Sequence, residues 1–305
     1  MSRILRNTSG GKAVSGGALA PRSRRNNTLQ VDSYFRGGGP SFPAATGGTE
    51  TDISSGGLNY RLLQFTSSSS LVVTRGGLMD FVIVGGGGIT RRNSWTNQGY
   101  HRNDGAGGAG QALEYTAIDV PAGTYTVTVG GSQSTSEVTT LTIPSQNSQT
   151  TLRAGGGGTG GHWHGTGGGD NGNLGIGSGG GAGLNGPFPG GAGGDPGVGA
   201  SAGSVSGSGG GAGGGSSAAA SGLTGGAGLD FGTFLGAGTT NLGGGGSSGS
   251  NGARAGGAGG GGAGGASGSA NTGGGAGSQR IDGAVDGGGY SANGGSGIIY
   301  VRFRK

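Results

Sequence analysis

The chain has 305 residues, of which 90 are glycine, 8 are proline and none is cysteine, and only 30% are hydrophobic. This excludes a disulfide or thiolate–metal scaffold and leaves room for only a small, local side-chain core. The net charge of +5 is uneven: residues 1–40 carry Arg3, Arg6, Lys12, Arg22, Arg24, Arg25 and Arg36 against Asp32, a balance of +6, so the remainder sums to −1.

Residues 1–59 show little periodicity and many Ser, Gly, Pro and Asn. They are expected to form an extended basic arm, with a short strand near 29–35. Arg3, Arg6, Arg22, Arg24 and Arg25 would dock it into an acidic groove of a partner protein; a solvated tail is the plainer alternative. Nucleic acid is disfavoured, because the basic residues lack interleaved aromatics. The first residues contain no apolar run of the secretory kind, and the longest apolar patch, Phe81-Val82-Ile83-Val84, is too short for a membrane helix.

From 60 to 153 the pattern changes to short strands. Segments 60–66 and 71–74 flank the serines 67–70. Segment 78–84 is apolar apart from Asp80, as expected of a central buried strand. After the turn Pro121-Ala122-Gly123, residues 124–129 alternate, with Tyr125, Val127 and Val129 on one face and three threonines on the other. Segments 138–143 and 150–153 complete a small antiparallel β unit.

Residues 154–296 are dominated by glycine: 65 of the 90 glycines lie beyond position 150. Ordering a glycine costs more backbone entropy than ordering any other residue, and side-chain burial returns almost nothing here. Two states are open. One is a disordered linker. The other is a bundle of three-residue-per-turn threads of polyproline-II geometry, bonded sideways through their backbones. Runs of glycine alternate with punctuations every 10–20 residues or so, and these contain Trp163, Phe188, Phe231, Phe234 and Tyr290. That texture favours the bundle, with threads of roughly 15–30 Å at 3.1 Å per residue. Segment 297–305 reads as a strand with Ile299, Val301 and Phe303 on one face, and it is expected to return to the β unit, since a lone strand is unstable. The expected fold is all-β, with no significant helix, and with the glycine region inserted and clamped at both ends.

Several of these motifs, in this order, resemble the glycine-rich domains of tailed-phage virion proteins. They are Phe65-Thr66 with Leu71-Val72-Val73-Thr74; Asp80-Phe81-Val82-Ile83-Val84 followed by Gly85 to Gly88; Pro121-Ala122-Gly123-Thr124-Tyr125; Ala270-Asn271-Thr272 with its following glycines; and Gly294-Gly295-Ser296-Gly297-Ile298-Ile299-Tyr300-Val301-Arg302. The resemblance covers about 56–305. It implies a polyglycine sandwich whose loops at one end carry host-receptor contacts, as in tail-fibre and tail-tip adhesins. It also implies a virion structural protein, without fixing its position on the particle, and a homo-oligomer, a trimer among the options; the arm lies outside the resemblance, and its basic residues are expected to dock onto other virion proteins. Capsid decoration or another minor virion role is the rival, and an ice-binding or matrix protein with a flat repetitive face is the third reading.

Catalysis is not expected: the 13 acidic residues are scattered, and the glycine runs are not followed by a helix that could make a phosphate cradle. The binding candidates are aromatic and cationic loop residues of the kind that dominate interfaces: Trp95, Tyr100, His101, Trp163, Phe188, Phe231 and Phe234. No cofactor is expected. His162 and His164 resemble the His-x-His metal sites of phage fibre trimers, although a turn bearing surface aromatics accounts for them equally.

Overall fold

A computed structural model describes residues 42–90, 105–132, 138–144, 149–161, 211–249, 254–279 and 292–305. They show an all-β architecture in two parts: a sandwich of two five-stranded sheets, and a bundle of glycine threads growing from one end of it.

The first sheet has the order β1 (Ala44–Thr46), β4 (Ser69–Arg75), β7 (Gly123–Thr128), β8 (Thr139–Pro144), β9 (Gln149–Ala154). The second has the order β2 (Thr49–Ser55), β3 (Leu58–Phe65), β14 (Ile298–Arg304), β5 (Gly77–Val84), β6 (Ala112–Val120). All their pairings are antiparallel. The alternation in 124–129 works as expected: Tyr125 and Val127 enter the inter-sheet core with Leu71, Val73, Leu141, Ile143 and Leu152. Leu63, Phe65, Phe81, Ile83, Ile299, Val301 and Phe303 face them from the second sheet. The Tyr125 hydroxyl donates to the Pro121 carbonyl at 2.6 Å, which gives this buried phenol a polar partner. The serines after Phe65 do not close a hairpin. They carry the chain from the second sheet to the first, as Gly47 and Gly48 do in the opposite direction; Gly48 holds φ 60, where a side chain would strike the Gln64 carbonyl.

The centre of the second sheet is buried on both faces. Its outer side packs Leu62, Val82, Val84 and Ile298 against Phe231, Phe234 and Leu242. These come from an excursion built of β10 (Leu229–Asp230), one helical turn α1 (Gly232–Leu235) and β11 (Asn241–Leu242). Burial on two sides explains why β5 is a continuous apolar run. Its exception, Asp80, is used twice. Oδ2 accepts from Arg302 Nε at 3.0 Å, and Oδ1 accepts from the Ala117 amide at 2.9 Å. Ala117 has φ 54 at a bulge where Thr116 and Ala117 stand opposite Asp80 alone. Arg302 also lies 4.1 Å from the Phe234 ring centroid and donates to the Phe234 carbonyl at 2.9 Å, holding α1 down.

Two expected boundaries move. Strands β1 and β2 lie within the segment assigned to the arm, and the compact unit that holds both sheets starts at Pro43. The thread bundle also takes in residues 85–90 and 105–111, which precede the expected start at 154. The C-terminal strand does return, and it takes a central position between β3 and β5. The short strand expected near 29–35 and the arm arginines lie outside the described residues.

Candidate functional site

The bundle begins where four strands run on into glycine. β5 continues as 85–90, β9 as 155–161, and threads 105–111 and 292–297 lead into β6 and β14. Strand neighbours stay neighbours across the change. Val84 pairs with Ala112, and the Gly85 and Gly88 amides then donate to Gln111 and Gly108. Val84 also pairs with Ile298, and the Gly87 and Thr90 amides donate to Gly295 and Ala292.

Thread 105–111 shows the three-residue turn directly. Its successive amides rotate among three neighbours: Gly105, Gly108 and Gln111 donate to Gly161, Gly158 and Gly155; Ala106 and Ala109 donate to Gly211 and Gly214; Gly107 and Gly110 donate to Ala276 and Gly273. All seven bonds measure 2.8–3.0 Å. Partners step by three along each neighbour, the signature of a threefold thread and not of a pleated strand. Glycine is required because neighbouring carbonyls occupy the positions of side chains. A Cβ on Gly107 would fall on the Gly88 oxygen, and one on Gly110 on the Gly85 oxygen. Where polar side chains do occur, they complete the backbone bonding. Gln111 Oε1 accepts from the Gly155 amide at 3.0 Å, Ser216 Oγ donates to Gly110 O at 2.7 Å, and Thr139 Oγ1 accepts from the Gly130 amide at 2.9 Å. Gln111, Ser216 and Thr139 were not singled out by the sequence, because an isolated Gln, Ser or Thr beside glycine carries no periodic signal.

The same register fixes which way each thread runs, and hence which ends share a side. Residues 85, 111, 155 and 297 adjoin the sandwich, so 90, 105, 161 and 292 stand at the far end. Gly211 is there too, bonded to Ala106. Ser216 and Gly213 donate to Gly243 and Gly246, so the thread after 243 climbs towards the far end and finishes as β12 (Ser248–Gly249). β12 pairs in parallel with β13 (Ser278–Gln279), and Ser247 Oγ donates to the Arg254 carbonyl at 2.8 Å. Thr90 and Gly105, Gly161 and Gly211, Gly249 and Arg254, and Gln279 and Ala292 therefore all lie at one end, opposite the sandwich. This free end is the candidate site, and Arg254 and Gln279 are exposed on it.

Trp95, Tyr100 and His101 lie in 91–104, and His162, Trp163, His164 and Phe188 lie in 162–210; all are outside the described residues, as is Tyr290. The chain leaves and rejoins the free end on either side of both segments. Phe231 and Phe234 require correction. They are 5% and 3% exposed and belong to the outer core of the second sheet on the sandwich, not to a displayed surface. Their three-residue spacing puts both on one side of a single helical turn against apolar strands.

Among the described residues, several charged groups of the body form ion pairs. Arg61 bonds Glu50 and Asp52, each at 2.6 Å, and Lys305 pairs with Asp52, whose carboxyl titrates below its ordinary value because of the Lys305 and Arg61 bonds. Asp230 is likewise lowered by amides of Gly232 and Thr240 donating to Oδ1 at 2.9 and 2.7 Å. Burial raises the Tyr300 phenol. Among the described residues no cluster of three or more His, Cys, Asp or Glu could hold a metal, and no helix is long and apolar enough to cross a membrane. Comparison with protein families, curated proteins and solved structures gives no match to this chain.

Proposed function

We propose that this chain is a non-enzymatic structural protein of a tailed-phage virion, a tail-fibre or tail-tip adhesin. In this reading a glycine-thread platform holds receptor-binding segments at its free end. The observation that carries it is the convergence of the thread ends. Each of four internal segments, 91–104, 162–210, 250–253 and 280–291, is bounded by described residues at the same end of the bundle. Between them they contain Trp95, Tyr100, His101, Trp163 and Phe188. Loops on a rigid scaffold are where recognition concentrates, and aromatic anchors dominate its energetics. The basic arm docks the protein onto other virion proteins, and several copies assemble together.

The test is binding of labelled full-length protein to intact cells from a panel of bacterial strains. Binding to a restricted set of strains is expected, with Trp163→Ala weakening it roughly 30-fold while amide protection in 105–111 stays as in the parent. Absence of cell binding together with attachment to virions that lack the protein would favour the decoration role instead.

One observation bears on the ice-binding reading. Thr124, Thr126, Thr128, Thr140, Thr142 and Thr151 share the outward face of the first sheet, and the Thr142 and Thr151 hydroxyls lie 3.4 Å apart. This repetitive face is on the sandwich and not on the glycine threads. An ice-recrystallisation assay on the full chain separates the two readings, and the adhesin reading expects no inhibition.

A further inference from the structure

We infer that the last strand is a folding gate: β14 must seat between β3 and β5 before the glycine bundle can assemble. Order at the free end therefore waits for Ile298–Arg304 to pair.

The pairing pattern makes β14 the keystone of the second sheet. It bonds β3 from Ile299↔Phe65 to Arg304↔Tyr60, and β5 from Ile298↔Val84 to Arg302↔Asp80. β3 and β5 are not neighbours in that sheet. Without β14 the sheet divides into the pairs β2–β3 and β5–β6, and two-stranded pieces are marginal in water. The same strand supplies side chains to both cores: Ile299, Val301 and Phe303 to the inner one, Ile298 and Tyr300 to the outer.

The bundle depends on this closure. Threads 85–90 and 105–111 extend β5 and β6, the half-sheet that β14 holds against the rest. The thread leading into β14 makes its own set of bonds. Gly295 O and Ala292 O accept from Gly87 and Thr90, Ser296 O accepts from Gly273, Asn293 O accepts from Gly268, and the Gly297 amide donates to Gly130 O. Seating β14 therefore draws 292–297 into place beside 85–90. The reverse order is disfavoured. Pairing Phe65 with Ile299 closes a very long loop, and the entropy of that closure must be offset at once. A strand filling two apolar cores can offset it. Glycine threads cannot, having only backbone bonds whose net worth in water is small, and glycine being the residue with most freedom to lose. This inference does not rest on the adhesin reading.

Pulse-labelled hydrogen exchange during refolding of the full chain tests it. Amides of 105–111 should gain protection together with those of β14, or after them. Protection of 105–111 while the β14 amides still exchange freely would overturn the gate. At equilibrium, Ile299→Ala should accelerate exchange in β14, β5 and 105–111 by a common factor of roughly 30-fold or more, the usual range for a buried Ile→Ala change. Faster exchange in β14 with 105–111 unchanged would also overturn it. Ile299→Val, with an expected effect of roughly 2- to 10-fold, allows the same comparison in a milder background.

Discussion

Phe81 in the sandwich and residues 105–111 in the bundle are equally hidden from solvent, for opposite reasons. Phe81 is buried because a large ring fills the space between two sheets that pack about 10 Å apart. Thread 105–111 is buried because its residues, alanine or glycine up to Gln111, let other backbones close in from several sides. Sandwich order comes from apolar surface removed from water, and bundle order comes from hydrogen-bond geometry that tolerates no misplaced atom. The two regions should therefore respond to mutation in opposite ways. A core strand suffers when a side chain is trimmed, and a thread suffers when one is added.

The strongest way to break this comparison is Gly107→Val. The new side chain would meet the Gly88 carbonyl, with backbone on all sides unable to yield. Loss of more than about 4 kcal/mol is expected in chemical denaturation, at the extreme of single substitutions. Ala106→Gly in the same thread, where a methyl is already accommodated, should cost no more than about 1 kcal/mol. Equal losses for the two would show that the thread register has been assigned wrongly. An intermediate effect is expected from Gln111→Ala, which leaves the buried Gly155 amide without its acceptor and should cost about 1–3 kcal/mol. If urea midpoints do not move, the junction is wetter than its geometry indicates. The smallest effect concerns the excursion over the second sheet. The Asp230 carboxyl is lowered by the Gly232 and Thr240 amides, so the unfolded chain binds a proton more readily than the folded one. Its contribution is complete above the ordinary value of 3.8 and declines as pH falls through the lower folded value. Melting midpoints of the parent and Asp230→Asn should differ at neutral pH and converge in acid. A gap that persists in acid would assign the difference to something other than charge.

Much of the sandwich was legible because side chains carry its pattern. The apolar stretch with Asp80, the alternation ending at Val129 and the closing Ile299, Val301 and Phe303 all announced strands, and the last of them returns to the β unit as expected. β2 gave no sign because it is an edge strand whose Thr49, Glu50, Thr51 and Asp52 are all exposed, so no apolar alternation exists to be read. β6 was missed for another reason. Its bulge at Thr116 and Ala117 breaks the two-residue period in the middle of the strand. In the bundle the sequence indicated threads but not which thread meets which, since glycines are interchangeable as text. Gly85 to Gly88 stood out only as part of a motif, and nothing in them showed that Gly85, Gly87 and Gly88 donate to Gln111, Gly295 and Gly108 in the interior. Phe231 and Phe234 looked like display residues because nothing local to them reveals the apolar back of the second sheet.

The rotation of amides in 105–111 among three neighbours also sets a rule for chain length. Deleting a single residue there would turn every following amide by about a third of a revolution and offer each one to the wrong neighbour. Removing three in succession would restore the phase and merely shorten the pillar by about 9 Å. Viable length variants of such a bundle should therefore differ by multiples of three residues within a thread.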